Sequence, residues 1–177
     1  MKNLSDNTVR LSALAAVILF AALYRVLPHP PNIAPVAAMA LFAGAHFRDW
    51  RIALAAPISA MLISDFLIGL HSTLIFVYAG MAATVGIGCL LRRHYNGSTI
   101  IVGSLASSTL FYLITNFGSW LGSPFYTQNA SGLFSAYIAG IPFYQYSVIG
   151  DLAFAGIFFG AYNLAARHGT RTKASSL

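Results

Sequence analysis

Between Arg51 and Arg92 the chain carries a single formal charge, Asp65. A run of that length offers almost nothing for a water-facing surface. The whole sequence follows suit: 58% of its 177 residues are hydrophobic and 8% are charged, against roughly 25% charged in soluble domains. In a bilayer the shortage disappears, because lipid dissolves apolar side chains. Backbone groups find no partner there and must pair within their own segment, as they do in a helix. A crossing takes roughly 20 residues. The sequence therefore predicts an all-α integral membrane protein, a compact bundle of about six transmembrane helices forming one domain over residues 1–177.

The expected spans are 11–27, 33–47, 52–70, 73–91, 99–121 and 147–166. The first reads as a retained helix rather than a cleaved signal, whose apolar core is shorter. Breaks are marked by Pro28-His29-Pro30-Pro31, by Gly69-Leu70-His71-Ser72 and by Asn96-Gly97-Ser98. Pro35 falls in the first turn of the short second span, where proline is tolerated.

The cations fit this division. Lys2 and Arg10, Arg48 and Arg51, Arg92 and Arg93, and Arg167, Arg171 and Lys173 all fall on one side of the six spans, and only Arg25 falls on the other. Short cytoplasmic connections collect Lys and Arg, so both termini are expected in the cytoplasm; five spans would place the C-terminal cations outside. The net charge of +6 thus reads as topology, not as nucleic-acid binding. A lone cysteine, Cys89, excludes an internal disulfide and a cysteine metal cluster.

The opposite, outer side is expected to hold a long connection, 122–146, free of Asp, Glu, Lys and Arg and rich in aromatic residues: Phe125, Tyr126, Phe134, Tyr137, Phe143, Tyr144 and Tyr146. Within it, 133–141 is apolar enough for a short interfacial helix or a re-entrant piece. Long loops of this kind are often functional.

Ionisable groups inside spans point to function or to pairing. Arg25, Asp65 and Asp151 fall at similar depth near the outer side, either as an arginine–carboxylate pair that fixes packing or as ligand contacts. His29 and His71 lie at the same boundary, whereas His46, His94 and His168 fall on the basic side and are expected in solvent. Asn116 and Trp120 are four apart and share a helix face, as do Thr115 and Ser119. Small residues recur at the same spacing in Ser12/Ala16, Ala40/Gly44, Ala56/Ala60 and Gly156/Gly160, which suits close helix packing. The sequence has no H-E-x-x-H, nucleophile elbow or phosphate-binding loop, so it is not expected to be an enzyme or to hydrolyse ATP itself.

Several short segments carry a resemblance: Leu27-Pro-His-Pro-Pro-Asn32 after the first span; Ser64-Asp65 followed by Gly69-Leu-His71; Ile114-Thr-Asn116-Phe-Gly-Ser-Trp120-Leu-Gly-Ser; Ile141-Pro-Phe; and Gly150-Asp151. Together, from about Arg25 to Gly160, they resemble the substrate-binding S-components of energy-coupling-factor (ECF) vitamin transporters, most of all the small solitary cobalamin-transporter-like members. The resemblance implies a multi-pass protein of the bacterial cytoplasmic (inner) membrane with a vitamin pocket open to the extracytoplasmic side. The ligand it implies is cobalamin or a related corrinoid, carried as cargo, with no cofactor of the protein's own. Its implied partners are the lipid bilayer and either an energising module of a transmembrane subunit plus ATPases or none, if it works alone.

The expected ligand contacts are His29, Asn32, Asp65, His71, Tyr78, Asn116, Trp120, Tyr126, Tyr137, Tyr144 and Asp151, with Arg25 as a structural ion-pair partner. Some cobalamin-type members offer a cysteine to cobalt. Here Cys89 lies near the inner end of the fourth span, so His29 or His71 is the better candidate if cobalt takes a protein ligand. Two rival readings are an S-component for a different vitamin or small molecule, and a structural or assembly subunit. A third is an intramembrane enzyme using His29 or His71 with a carboxylate.

Overall fold

The apolar runs fold as α-helices separated near the marked breaks: α1 (Val17–Val26), α2 (Val36–His46), α3 (Trp50–Ile68), α4 (Leu74–Leu91), α5 (Gly97–Gly122) and α6 (Ala130–Ala174). They are seen in a computed structural model, which describes residues 17–28, 30 and 32–174, with side chains up to residue 164. Among the described residues, four helices are long and apolar enough to cross a membrane: α3, α4, α5 and the Ala130–Leu164 part of α6.

Local chemistry sets the boundaries. Asp49 accepts a hydrogen bond from the Arg51 amide at 2.9 Å and so caps α3. Asn96 and Thr99 exchange side-chain and backbone bonds at the start of α5, which satisfies two of the amides a helix start leaves free. Gly69 ends α3 at φ 111°, a conformation open to glycine and strained for other residues.

The second expected span departs most from a simple crossing. Helix α2 has 11 residues, about 16 Å of helix, roughly half the ~30 Å apolar core of a bilayer. It is buried on most sides (Val36, Ala38, Met39, Ala40, Leu41, Ala43 and Gly44) and packs against α3, α4, α5 and α6. Small side chains let the neighbours close in. A Cβ placed on Gly44 would stand 2.2 Å from the Val85 carbonyl oxygen, and one on Gly88 would stand 2.3 Å from that of Leu41. The backbones of α2 and α4 are therefore in direct contact. Ala56 and Ala60 are buried as well, whereas Gly156 and Gly160 face open space and Ser12 and Ala16 lie outside the described residues.

The expected loop over 122–146 is a second departure. Only about 123–129 is connection; from Ala130 the chain is helical, continuing through Pro142 into the expected last span. Proline removes one helical N–H and crowds the preceding turn, yet Pro142 lies inside this helix. Antiparallel packing on α5 holds the segment helical. Asn116 lies against Gly140, Ser108 bonds Asp151, and Tyr95 bonds Asn163. Asn129, just before α6, accepts from the Gly132 amide at 2.9 Å.

The two ends of the bundle differ in chemistry. One gathers Arg48, Arg51, Arg92 and Arg93. There Arg92 donates to the carbonyls of Gly44 (2.7 Å) and Arg48 (3.1 Å) and to Cys89 Sγ (3.2 Å), placing a cation where α2 ends and its carbonyls lack partners. Cys89 is thus at this basic end, as expected. His94 is exposed, but His46 is not a solvated residue. Its ring sits between Phe42 and Tyr162 at 4.1 Å each, with Tyr95 and Phe159 beside it. Lys2 and Arg10, and the side chains of Arg167, His168, Arg171 and Lys173, lie outside the described residues.

Candidate functional site

The opposite end holds a polar cleft between helices that are otherwise apolar. Two adjoining cavities form it, of about 270 Å³ and about 180 Å³, and both are lined by Asn32, Phe111, Thr115 and Ser147. The larger reaches Arg25, Met61, His71, Met81 and Asp151; the smaller reaches Tyr112, Asn116, Ser119 and Tyr144. The cleft thus draws on α1, the connection into α2, α2 itself, α3, the α3–α4 connection, α4, α5 and α6.

Arg25, in the last turn of α1, is held from α3. Its Nη1 donates to Asp65 Oδ1 at 2.8 Å and also to Ser64 Oγ. The second oxygen of Asp65 accepts from the Tyr78 hydroxyl of α4 at 3.0 Å. Asp65 is 1% exposed, so it stands behind Arg25 rather than on the cleft wall, and Tyr78 stands with it. The expected arginine–carboxylate pair is therefore present and involves Asp65. It ties α1, α3 and α4 together and aims one guanidinium at the cleft.

Asp151 occupies the facing wall. It is 6% exposed, and its Oδ2 accepts from Ser108 Oγ of α5 at 2.6 Å. Asn32 reaches the cleft through a left-handed backbone, φ 61°, a region asparagine tolerates better than most residues. Gly150 makes room for that turn, since a Cβ there would stand 3.1 Å from Ile33 Cα. Asn116 donates its amide to the Tyr112 carbonyl at 2.9 Å, and its Oδ1 rests against Gly140. The Tyr144 hydroxyl bonds Thr109 Oγ1 at 2.8 Å while its ring packs on Tyr112. His71 is exposed at the rim, with Nδ1 3.0 Å from Thr73 Oγ1.

Of the residues singled out in the sequence, the cleft brings together Arg25, Asn32, His71, Asn116, Tyr144 and Asp151. Besides Asp65 and Tyr78, which stand behind Arg25, three others lie off its walls. Trp120 donates Nε1 to the Thr127 carbonyl at 2.9 Å and packs on Phe117, clasping the α5–α6 connection. The Tyr126 carbonyl accepts from Gln128 in that same connection. The Tyr137 hydroxyl donates to the Leu113 carbonyl at 3.1 Å, bracing α6 against α5. His29 lies outside the described residues. The sequence reading did not single out Ser108, Tyr112 or Ser147 as site residues. Thr115 and Ser119 had a signal in their four-residue spacing; Ser108 had none, because its role depends on which α5 face meets Asp151.

Chemically the cleft has groups that could hold a polar solute. It offers amides, hydroxyls, one guanidinium and one carboxylate around apolar Phe111, Met61 and Met81. Among the described residues no group of three or more His, Cys, Asp or Glu is placed to hold a metal ion. The model of a protein family described as Family of unknown function (DUF6580) matches residues 5–174. No curated protein and no solved structure matches the chain.

Proposed function

The chain belongs to that family of unknown function, and we propose that it is a membrane-embedded capture protein for the uptake of a small water-soluble solute of the vitamin class. The observation that carries this reading is the polar cleft at the end of the bundle opposite the basic cluster. Ligand sites are typically concave and use a few placed polar groups beside apolar ones, and this cleft sets Asn32, Asn116 and Asp151 beside Phe111, Met61 and Met81.

The orientation follows from charge. If the Arg48, Arg51, Arg92 and Arg93 end is cytoplasmic, the cleft opens to the extracytoplasmic side of a bacterial inner membrane, where a solute is met before uptake. Asn32, Asn116, Asp151 and Arg25 then contact the solute, and Phe111 and Tyr144 form its apolar walls.

The resemblance to ECF S-components makes cobalamin or a related corrinoid the first ligand to test. The cleft volume supports a smaller vitamin. Sites for drug-sized molecules run about 300–1,000 Å³, and the cavities of about 270 Å³ and about 180 Å³ each fall below that range. A corrin therefore requires the connections bounding the cleft to part.

Both versions are tested by purifying the protein in detergent after growth with cobalamin and recording its absorbance after washing. A near-stoichiometric corrin band identifies the larger ligand. A colourless protein that retains a smaller labelled vitamin from a mixed panel keeps the capture reading and removes the corrinoid. Retention of neither, by folded protein, overturns capture.

A further inference from the structure

The two buried carboxylates of the cleft end are compensated differently. Asp65 has Arg25 and Tyr78. Asp151 has no cation within ion-pair distance among the described residues, and its Oδ2 accepts a hydrogen bond from Ser108. Arg25 reaches the same cavity but is already engaged with Asp65. The other groups around the cleft are neutral or engaged as well: Tyr112 donates to the Tyr137 carbonyl, Tyr144 pairs with Thr109, and His71 pairs with Thr73 at the rim. With Asp151 ionised, the described residues of the cleft end carry one unbalanced negative charge.

A second observation lies on α5. Ser104 and Ser107 are 1% and 2% exposed, and neither hydroxyl has a hydrogen-bond partner. Ser104 is one turn from Ser108 and shares its helix face. Buried polar groups are ordinarily satisfied, and an unsatisfied one calls for an explanation such as a missing water or ion. Buried charges, likewise, are paired or bound to a metal.

We propose that Asp151 and Ser108, with Ser104 one turn away on the same helix face, hold a monovalent cation at this wall of the cleft. The ligand atoms are all oxygens, which suits a hard ion or a cationic nitrogen rather than a transition metal. One carboxylate supplies one charge, which matches a monocation. The cation is either a free sodium ion or the protonated or quaternary nitrogen of the captured solute. The second source rests on the capture reading above; the first does not.

The test is thermal unfolding of the full-length purified protein at fixed ionic strength, titrated with sodium, potassium or tetramethylammonium chloride. A cation that binds only the folded form raises the midpoint in a saturable way. The expected result is a selective response whose half-saturating concentration rises at least tenfold in D151N and in S108A. A response to sodium alone identifies the free ion; a response to tetramethylammonium identifies a site for the solute's nitrogen.

Equal responses to all three salts, or a response unchanged in D151N, overturn the proposal. If D151N does not fold, S108A carries the titration. The wild-type infrared difference spectrum then decides: a carboxylate band that shifts with the cation supports the site, and a protonated carboxyl indifferent to it overturns the site. Vitamin retention is scored separately, so a chain that answers to sodium but retains no solute loses capture and keeps the ion site.

Discussion

The α2–α4 crossing and the cleft are built from similar residues and end in opposite states. At the crossing, Gly44 and Gly88 let two backbones touch, with no room for a single added methyl group. At the cleft, Gly140 and Gly150 also admit neighbours closely, but those neighbours are Asn116 and the Asn32–Ile33 turn, whose polar groups hold the walls apart. Removing side chains closes a bundle where the facing atoms are backbone. It opens a furnished space where the facing atoms are amides and hydroxyls that need partners.

That contrast is broken most forcefully at the crossing. Gly88→Leu drives a side chain into the α2 backbone. Overpacking in cores costs about 1–3 kcal/mol and sometimes more, and here the obstacle is a carbonyl that cannot rotate away. We expect no monodisperse folded protein by size-exclusion chromatography in detergent. Gly156→Leu serves as the control, because nothing lies within 4 Å of a Cβ there, and it is expected to elute as wild type.

The next largest effect is at the tie behind the cleft. Asp65→Ala leaves Arg25 without its partner; removing one member of a buried pair costs about 3–5 kcal/mol, toward the lower figure here because the Arg25 side chain is 19% exposed. Thermal unfolding of Asp65→Ala, Arg25→Ala and the double variant measures the coupling. A double variant no less stable than either single one is the expected sign of a true pair.

Smaller effects separate binding from folding. Asn116→Ala removes a wall amide whose own bond is to a backbone carbonyl of its helix. It is expected to weaken retention of the solute about tenfold, a loss of about 1.4 kcal/mol, with the unfolding midpoint nearly unchanged. A loss of stability without loss of binding assigns Asn116 to packing. Smallest is the Asn32 turn: Asn32→Gly keeps the left-handed backbone and is expected within about 0.5 kcal/mol of wild type, whereas Asn32→Ala costs about 1 kcal/mol more. Equal midpoints for the two variants remove the strain argument.

Much of the fold was legible in advance for a local reason. Apolar runs, the prolines at 28, 30 and 31, Gly69 and Asn96 report each segment's preferred solvent and each chain break, and these depend little on distant residues. The same locality explains the two misreadings. Pro35 and the short run before Arg48 do not reveal that α2 ends at half a bilayer's length, because its burial comes from four other helices. Gly140 and Pro142 read as loop, because only packing on α5 holds them helical. Of the site, Arg25, Asp65, Asn116 and Asp151 stood out because polar groups are rare here. Trp120, Tyr126 and Tyr137 stood out equally and brace the α5–α6 hairpin instead.

By itself, then, the amino-acid sequence determined an all-helical chain, the rough positions of its helices and which polar residues must be accounted for. The placement of charge along the chain fixes these, one segment at a time. Only the tertiary structure decided which partner each polar residue takes: Arg25 with Asp65, Ser108 with Asp151, Asn116 against Gly140. The physical reason is that helices apolar on nearly every side carry no stripe to mark an inner face. Their rotation and register are set by close contacts such as Gly44 on Gly88, and those contacts exist only once the helices have met.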